Sequence, residues 1–452
     1  MKSRKDQAID IADYYSINIR QMWCGLKQES PAFWWLCIYI FFEYVHPQVI
    51  YPSLDIIPWA KLTLLLAVAT TFFDKSINLT GNIQNKLLVM LFFVVLLSST
   101  FSFRPATSFS NIDLVFNWVI LYFLITLLAN TEKRFFILVL LFLLVSFKMS
   151  QHGFRSFASR GFSFASWGVT GSPGWFQNSG EFGIQMTIFV PLSIAFILAL
   201  KQYWGRLKRL FFYLMPFTGI VSIAASSSRG AQLAIIVVGI WFALKSRMGV
   251  RALVGILLIG WALYSVLPPE QLERFHTMGE DQTSVARLEY WRFGLEIVRN
   301  HPLFGIGYRN WLQYCWFEDP FANIPDVQCR ESHNVYVESA SELGIPGFLL
   351  FVSMLILIFR QNNLTQSYMR QTDNRFLLNV AYGLNGGLVG FMISSFFIAV
   401  FVYPFFWVQL AMTVALNNIA KKQYSEFAMK LDSKEVELKP RYRPASNVPD
   451  SK

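Results

Sequence analysis

The chain has 452 residues, of which 54% are hydrophobic and only 15% charged, and it carries a formal net charge of +11. A soluble domain holds about 25% charged residues, so a water-solvated globule of this size is excluded. The excess of Lys and Arg does not point to nucleic acid, because those residues sit in short loops between apolar blocks, the pattern that sets membrane orientation.

Residues 1–30 come first and contain no spanning run. Ile9, Ile11, Tyr14, Tyr15, Ile17 and Trp23 alternate with polar residues, which predicts a cytoplasmic amphipathic segment lying on the membrane face. Nothing in them reads as a cleavable signal peptide. Apolar blocks then follow at 31–46, 55–73, 86–102, 112–130, 134–150, 179–200, 209–226, 230–245 and 250–267. Each is close to the length that crosses a hydrocarbon core of ~30 Å. A hydrophilic stretch occupies 268–345, and further blocks stand at 346–360, 376–399 and 401–420. The expectation is an all-α, polytopic integral membrane protein with about twelve transmembrane helices. Nine of them lie in 31–267 and three in 346–420, with one long outer loop at 268–345 and a disordered, charged cytoplasmic tail at 421–452.

Loop charge orients these spans. Lys201, Arg206, Lys208 and Arg209 share one connection, Lys245, Arg247 and Arg251 a second, and Arg360, Arg370 and Arg375 a third. All three fall on one side of a twelve-span bundle, which the positive-inside rule makes cytoplasmic. The five histidines, His46, His152, His276, His301 and His333, then fall on the outer side. So do the Gly-, Ser- and aromatic-rich stretch 151–178 and the long loop, which from 268 to 333 carries ten acids and six Arg or Lys. Cys24 and Cys37 look isolated. Cys315 and Cys329 are fourteen residues apart in the long loop; in an oxidising compartment they form a bridge, otherwise two free thiols. No spacing fits a zinc site, and no Asp-x-Asp run or Gly-rich nucleotide loop is present, so neither metal nor cofactor is expected.

Four short motifs could carry chemistry. Ser228-Arg229-Gly230 puts an arginine where two apolar blocks meet at the outer face. It reads either as a snorkelling anchor or as a planar fork of donors for phosphate oxygens. Arg287 stands in the first turn of a helix expected from Ser284 and reads as a solvated ion pair with Glu280 or Asp281, or as a second anion ligand. His301-Pro302-Leu303-Phe304-Gly305-Ile306-Gly307 reads as a turn that lets backbone pack closely. His333-Asn334-Val335-Tyr336-Val337-Glu338 enters the next span from the outer side. His333 is either an interfacial histidine or a general base, with Asn334 or Glu338 orienting its ring.

The order and spacing of these motifs, Ser-Arg-Gly at 228–230, Ala-Arg-x₃-Trp at 286–291, His-Pro-Leu-Phe-Gly-Ile-Gly at 301–307 and His-Asn-x-Tyr-x₅-Glu-x-Gly-x-x-Gly at 333–347, resembles the O-antigen ligase and polymerase superfamily of bacteria. The likeness covers mainly residues 170–415. Tyr44-Val45-His46-Pro47 and the stretch from Lys148 to Gly183 are similar to one branch, the O-glycosylation ligases associated with exosortase systems; Gln177-Asn178-Ser179-Gly180 departs from that branch's Asp-Asn-Asn-like run.

The resemblance implies a bacterial inner-membrane enzyme whose site faces the periplasm. Such an enzyme moves a preassembled glycan from a polyprenyl-pyrophosphate carrier to a hydroxyl on a glycan, lipid or protein acceptor, with membrane lipids as its surroundings and no nucleotide sugar, metal or nucleic acid. Residue by residue it assigns His333 as base and Arg229 and Arg287 as pyrophosphate ligands. Arg155 and Arg160 in the stretch 151–178, with Trp167 and Trp175, read either as part of the donor or glycan groove or as an interfacial aromatic belt, and Asn334, Tyr336 and Glu338 are expected on the substrate side of the base. Two other readings stay open. A lipid-linked glycan transporter would use the thinned helix around Gly383, Gly386, Gly387 and Gly390; an assembly scaffold would use the tail.

Overall fold

A computed structural model describes residues 10–77, 80–164, 168–245, 249 and 282–438. The span expected at 250–267, the first part of the long loop through Asp281, Trp167, Arg247, Arg251 and His276 lie outside the described residues.

Helices account for the regular structure among them: α1 Ile11–Tyr15, α2 Ile19–Leu26, α3 Pro31–Val45, α4 Pro47–Ile50, α5 Trp59–Thr71, α6 Ile83–Thr100, α7 Pro105–Ser110, α8 Ile112–Leu128, α9 Glu132–Ser159, α10 Ser179–Leu200, α11 Arg206–Ala225, α12 Arg229–Lys245, α13 Gln282–Asn300, α14 Trp311–Glu318, α15 Val335–Gln371, α16 Arg375–Ser394 and α17 Pro404–Leu438. Six are long and apolar enough to cross a membrane: α6, α9, α10, α11, α15 and α16. α3, α5 and α8 are shorter apolar helices. The protein is an all-helical, multi-pass membrane protein.

α10 sits at the centre, buried on nearly every face. A helix apolar all round requires such a place or a lipid one. Its closest neighbour is α16, whose glycines make the approach. A Cβ added at Gly386 would lie 2.8 Å from the Pro191 side chain, and one at Gly390 2.8 Å from the Thr187 carbonyl oxygen. The glycine face of α16 is therefore a small-residue packing seam against α10.

Three element boundaries differ from the sequence expectation. α9 continues past 150 to Ser159 and carries Arg155 on its last turns. α15 begins at Val335 and ends at Gln371, well outside 346–360, with a break at Gly344 (φ 70°) ahead of Pro346. α17 runs to Leu438, so residues 421–438, expected as disordered tail, are helical. Polar residues can extend a helix beyond an apolar core wherever Gly and Pro are lacking, and the run from Lys421 to Leu438 has neither.

The bundle has two dissimilar ends. At one, the N-terminal helices dock on the basic connections: Trp204 Nε1 donates to the Tyr15 carbonyl at 2.8 Å and Lys208 Nζ to the Ser16 carbonyl at 2.8 Å. Arg134 is buried here, its Nε 2.5 Å from Glu29 Oε2 and its Nη1 2.8 Å from Ser76 Oγ. The other end gathers the 101–111 connection, the 168–178 stretch, the Ser226–Arg229 turn, and α13 and α14. Phe103 N donates to the Ile306 carbonyl at 2.9 Å, and Ser108 Oγ to the Tyr308 carbonyl at 2.7 Å.

Candidate functional site

The site is assembled at the second end by segments far apart in the chain. Arg229 opens α12 directly after a tied turn. Ser227 takes a left-handed conformation (φ 53°), and Ser226 Oγ accepts from Ser228 N at 3.3 Å. The stretch after residue 167 closes over this turn, with Val169 N donating to the Ala225 carbonyl at 3.0 Å. Arg229 Nη2 donates to Thr283 Oγ1 at 3.1 Å. Thr283 lies in the first turn of α13.

α13 transmits that contact to the histidine. Thr283, Arg287 and Tyr290 stand at i, i+4 and i+7, which places them on one helical face. The Tyr290 ring lies 6.1 Å from the His333 ring, centroid to centroid. His333 itself is half-buried and held in the left-handed region (φ 48°) one residue before the α15 cap. Its pKa is pushed down to about 4, first by burial, then by the positive charges of Arg287 and Arg330. The ring is therefore neutral at physiological pH, the state that can accept a proton. α12 and α13 begin beside this site and α15 two residues after His333, so their N-terminal dipoles add positive potential to that of the guanidinium groups.

The surrounding backbone is built for stiffness. Gly305 (φ 64°) and Gly344 (φ 70°) let two segments touch. A Cβ at Gly305 would lie 2.4 Å from the Ser341 carbonyl oxygen, and one at Gly344 2.5 Å from that of Leu303. Ile306 N and Gly307 N donate to the carbonyls of Ser341 and Glu342 at 2.9 and 3.1 Å. The His301–Gly307 motif is thus a structural clasp on α15, as the sequence suggested. Cys315 and Cys329 are bridged, with their Cα atoms 5.9 Å apart. They belong to a separate small core with Tyr290, Phe293, Ile297 and Trp311.

The other expected site residues are placed as follows. Asn334 caps α15, its Oδ1 accepting from Tyr336 N at 2.9 Å and Val337 N at 3.2 Å. The Tyr336 hydroxyl donates to the Met392 carbonyl at 3.0 Å. Glu338 is buried and its Oε2 accepts from Phe401 N at 3.1 Å. One side-chain oxygen of each of these three is thus engaged within the fold, where it seats the helix that follows His333. Arg155 lies in the last turns of α9, its Nε 3.4 Å from the Gln151 carbonyl, and Arg160 follows directly after that helix. Trp175 is packed inward, its Nε1 donating to Glu43 Oε1 at 2.7 Å and its ring 5.2 Å from that of Tyr403.

Arg330 and Arg309 were missed in the sequence. Arg309 is backed by Glu342, whose carboxylate accepts from Arg309 N at 2.9 Å and Trp311 N at 3.2 Å. For Arg330 a signal existed, its position three residues before His333. Among the described residues no group of three His, Cys, Asp or Glu side chains converges on a metal position.

Residues 214–352 match the family model described as O-Antigen ligase. The matched segment is about a third of the chain and contains Arg229, Arg287, the glycine clasp and His333; over this stretch the chain is similar to that family. The likeness of the N-terminal half to the exosortase-associated branch lies outside it. No curated protein matches the chain.

Proposed function

We propose that this protein is an O-antigen ligase-type membrane enzyme that transfers a preassembled glycan from a polyprenyl-pyrophosphate carrier to an acceptor hydroxyl, at the outer, periplasmic end of the bundle in the bacterial inner membrane. The observation that carries the reading is the convergence through α13: Arg229 reaches its first turn, Arg287 follows one turn on, and His333 faces the next. Four motifs weak in isolation become one arrangement of two guanidinium groups and a neutral imidazole.

The chemistry follows from that arrangement. His333 takes the acceptor's hydroxyl proton as the oxygen attacks the sugar's anomeric carbon. The bond from that carbon to phosphate oxygen breaks, and the polyprenyl pyrophosphate leaves with the electron pair. Negative charge grows on the leaving group, where Arg229 and Arg287 offer fixed donors. The donor also prepares its own base: an anion between the arginines and His333 offsets the field that depresses the imidazole pKa.

The test is transfer by purified protein in proteoliposomes loaded with lipid-linked glycan. Wild type yields covalent product, and His333→Ala inserts normally but yields none. Normal consumption of the donor by His333→Ala overturns the base assignment. A lipid-linked glycan that crosses the vesicle membrane without covalent product supports the transporter reading instead. Supplying lipid, protein or glycan acceptors one at a time separates ligase from polymerase.

A further inference from the structure

We propose that Arg330 is a third guanidinium of this anion site, and that the Cys315–Cys329 bridge holds it beside His333; the proposal rests on the donor being a pyrophosphate. The backbone leading to Arg330 is fixed residue by residue. The Gln328 carbonyl accepts from the Tyr290 hydroxyl at 2.8 Å. Cys329 is bonded to the fully buried Cys315. The Arg330 carbonyl accepts from Trp311 Nε1 at 2.7 Å. A strut tied at three successive residues to one small core has little freedom to wander.

The side chain on this strut is exposed. The carboxylate next to it in the chain, Glu331, turns instead to Arg309 at 3.9 Å. Arg330 has no carboxylate partner among the described residues. The charged groups facing His333 are Arg287 from α13 and Arg330 from its own segment, with the Tyr290 ring between the strut and the helix. A cation on a rigid support, with no carboxylate partner among the described residues and beside the candidate base, suits an arriving phosphate oxygen. Long flexible side chains bind less well because ordering them costs entropy, and the bridge removes the backbone share of that cost in advance.

The experiment measures binding of geranylgeranyl pyrophosphate and of inorganic pyrophosphate to the full-length protein in nanodiscs. Arg330→Gln is expected to weaken both by about tenfold and Arg330→Lys by less, since a point charge remains without the fork. Arg330→Gln also moves the acid limb of the pH–rate profile upward while Arg330→Lys leaves it in place, a split that a merely structural role does not produce. Opening the bridge, by Cys315→Ser with Cys329→Ser or by dithiothreitol on the folded protein, weakens binding in wild type and adds little in Arg330→Gln.

Wild-type affinity in Arg330→Gln alongside lost affinity in Arg287→Ala overturns this inference and leaves the functional reading standing. No pyrophosphate binding by the wild type defeats both. Unchanged affinity in the reduced protein overturns the role of the bridge.

Discussion

Arginine is used in opposite ways at the two ends of the bundle. At the basic end Arg134 is buried and saturated: Glu29 takes Nε, Ser76 Oγ and the Leu128 carbonyl take Nη1, and Asp74 lies 3.9 Å away. At the other end Arg287 and Arg330 act on a histidine that feels only burial and positive charge. The first arrangement cancels a charge and ties the N-terminal segment to α9. The second lowers the pKa of a neighbouring imidazole, and on the proposed function that positive field serves an anionic donor. An arginine's role is thus decided by what faces it, and the residue type alone does not reveal it.

Four experiments can break or sharpen that contrast. The largest effect is expected for His333→Ala, with transfer falling by about 10²–10⁴-fold while the thermal midpoint in detergent stays put; an unstable but active variant would reverse the assignment. Arg134→Ala should do the opposite. It leaves the half-buried carboxylates of Glu29 and Asp74 without their cation and costs about 1–3 kcal/mol, read as a lowered midpoint, with turnover per folded molecule unchanged. Arg229→Lys comes next, at about a tenfold loss in kcat/KM, because the ammonium keeps the charge and loses the fork; wild-type turnover would remove Arg229 from the clamp.

The smallest effect is a displacement in pH. A His333 pKa lowered to about 4 keeps the base neutral above that value, so the acid limb of kcat/KM lies near it and not at the ordinary ~6.5. The same depression means that folding excludes the proton. The stability His333 permits is present above the unfolded pKa and is lost as pH falls toward the folded one. The limb of kcat, which reports the loaded enzyme, lies higher, because the bound anion offsets Arg287 and Arg330. Coincident limbs would show that the donor does not sit in that field.

Much of the fold was legible from composition. Blocks of apolar residues gave the helices from 31 to 245 and from 376 to 420 almost in register, because hydrophobic length is a local property, and six of the described helices are long and apolar enough to cross a bilayer. Boundaries failed where polar residues continued a helix, at Ser159, Val335, Gln371 and Leu438, since hydropathy detects the solvent of a segment and not its hydrogen bonding. Arg229, Arg287 and His333 could be singled out by type and place. Asn334 and Glu338 could not be resolved into cap and helix seat, because that depends on which backbone amides face them: Tyr336, Val337 and the distant Phe401.

By itself, the order of residues determined a helical membrane protein with one long hydrophilic stretch, and it singled out a few arginines and histidines as candidates. Tertiary structure alone decided that α13 carries Arg229's contact to His333, that Cys315 meets Cys329, and that Arg330 stands where Glu331 does not neutralise it. The physical reason is range. Burial preference and helix length act over a turn or a bilayer and leave their mark in neighbouring residues. A site is made of charges brought together across some fifty to a hundred residues of chain, and their field depends on distances that only packing sets.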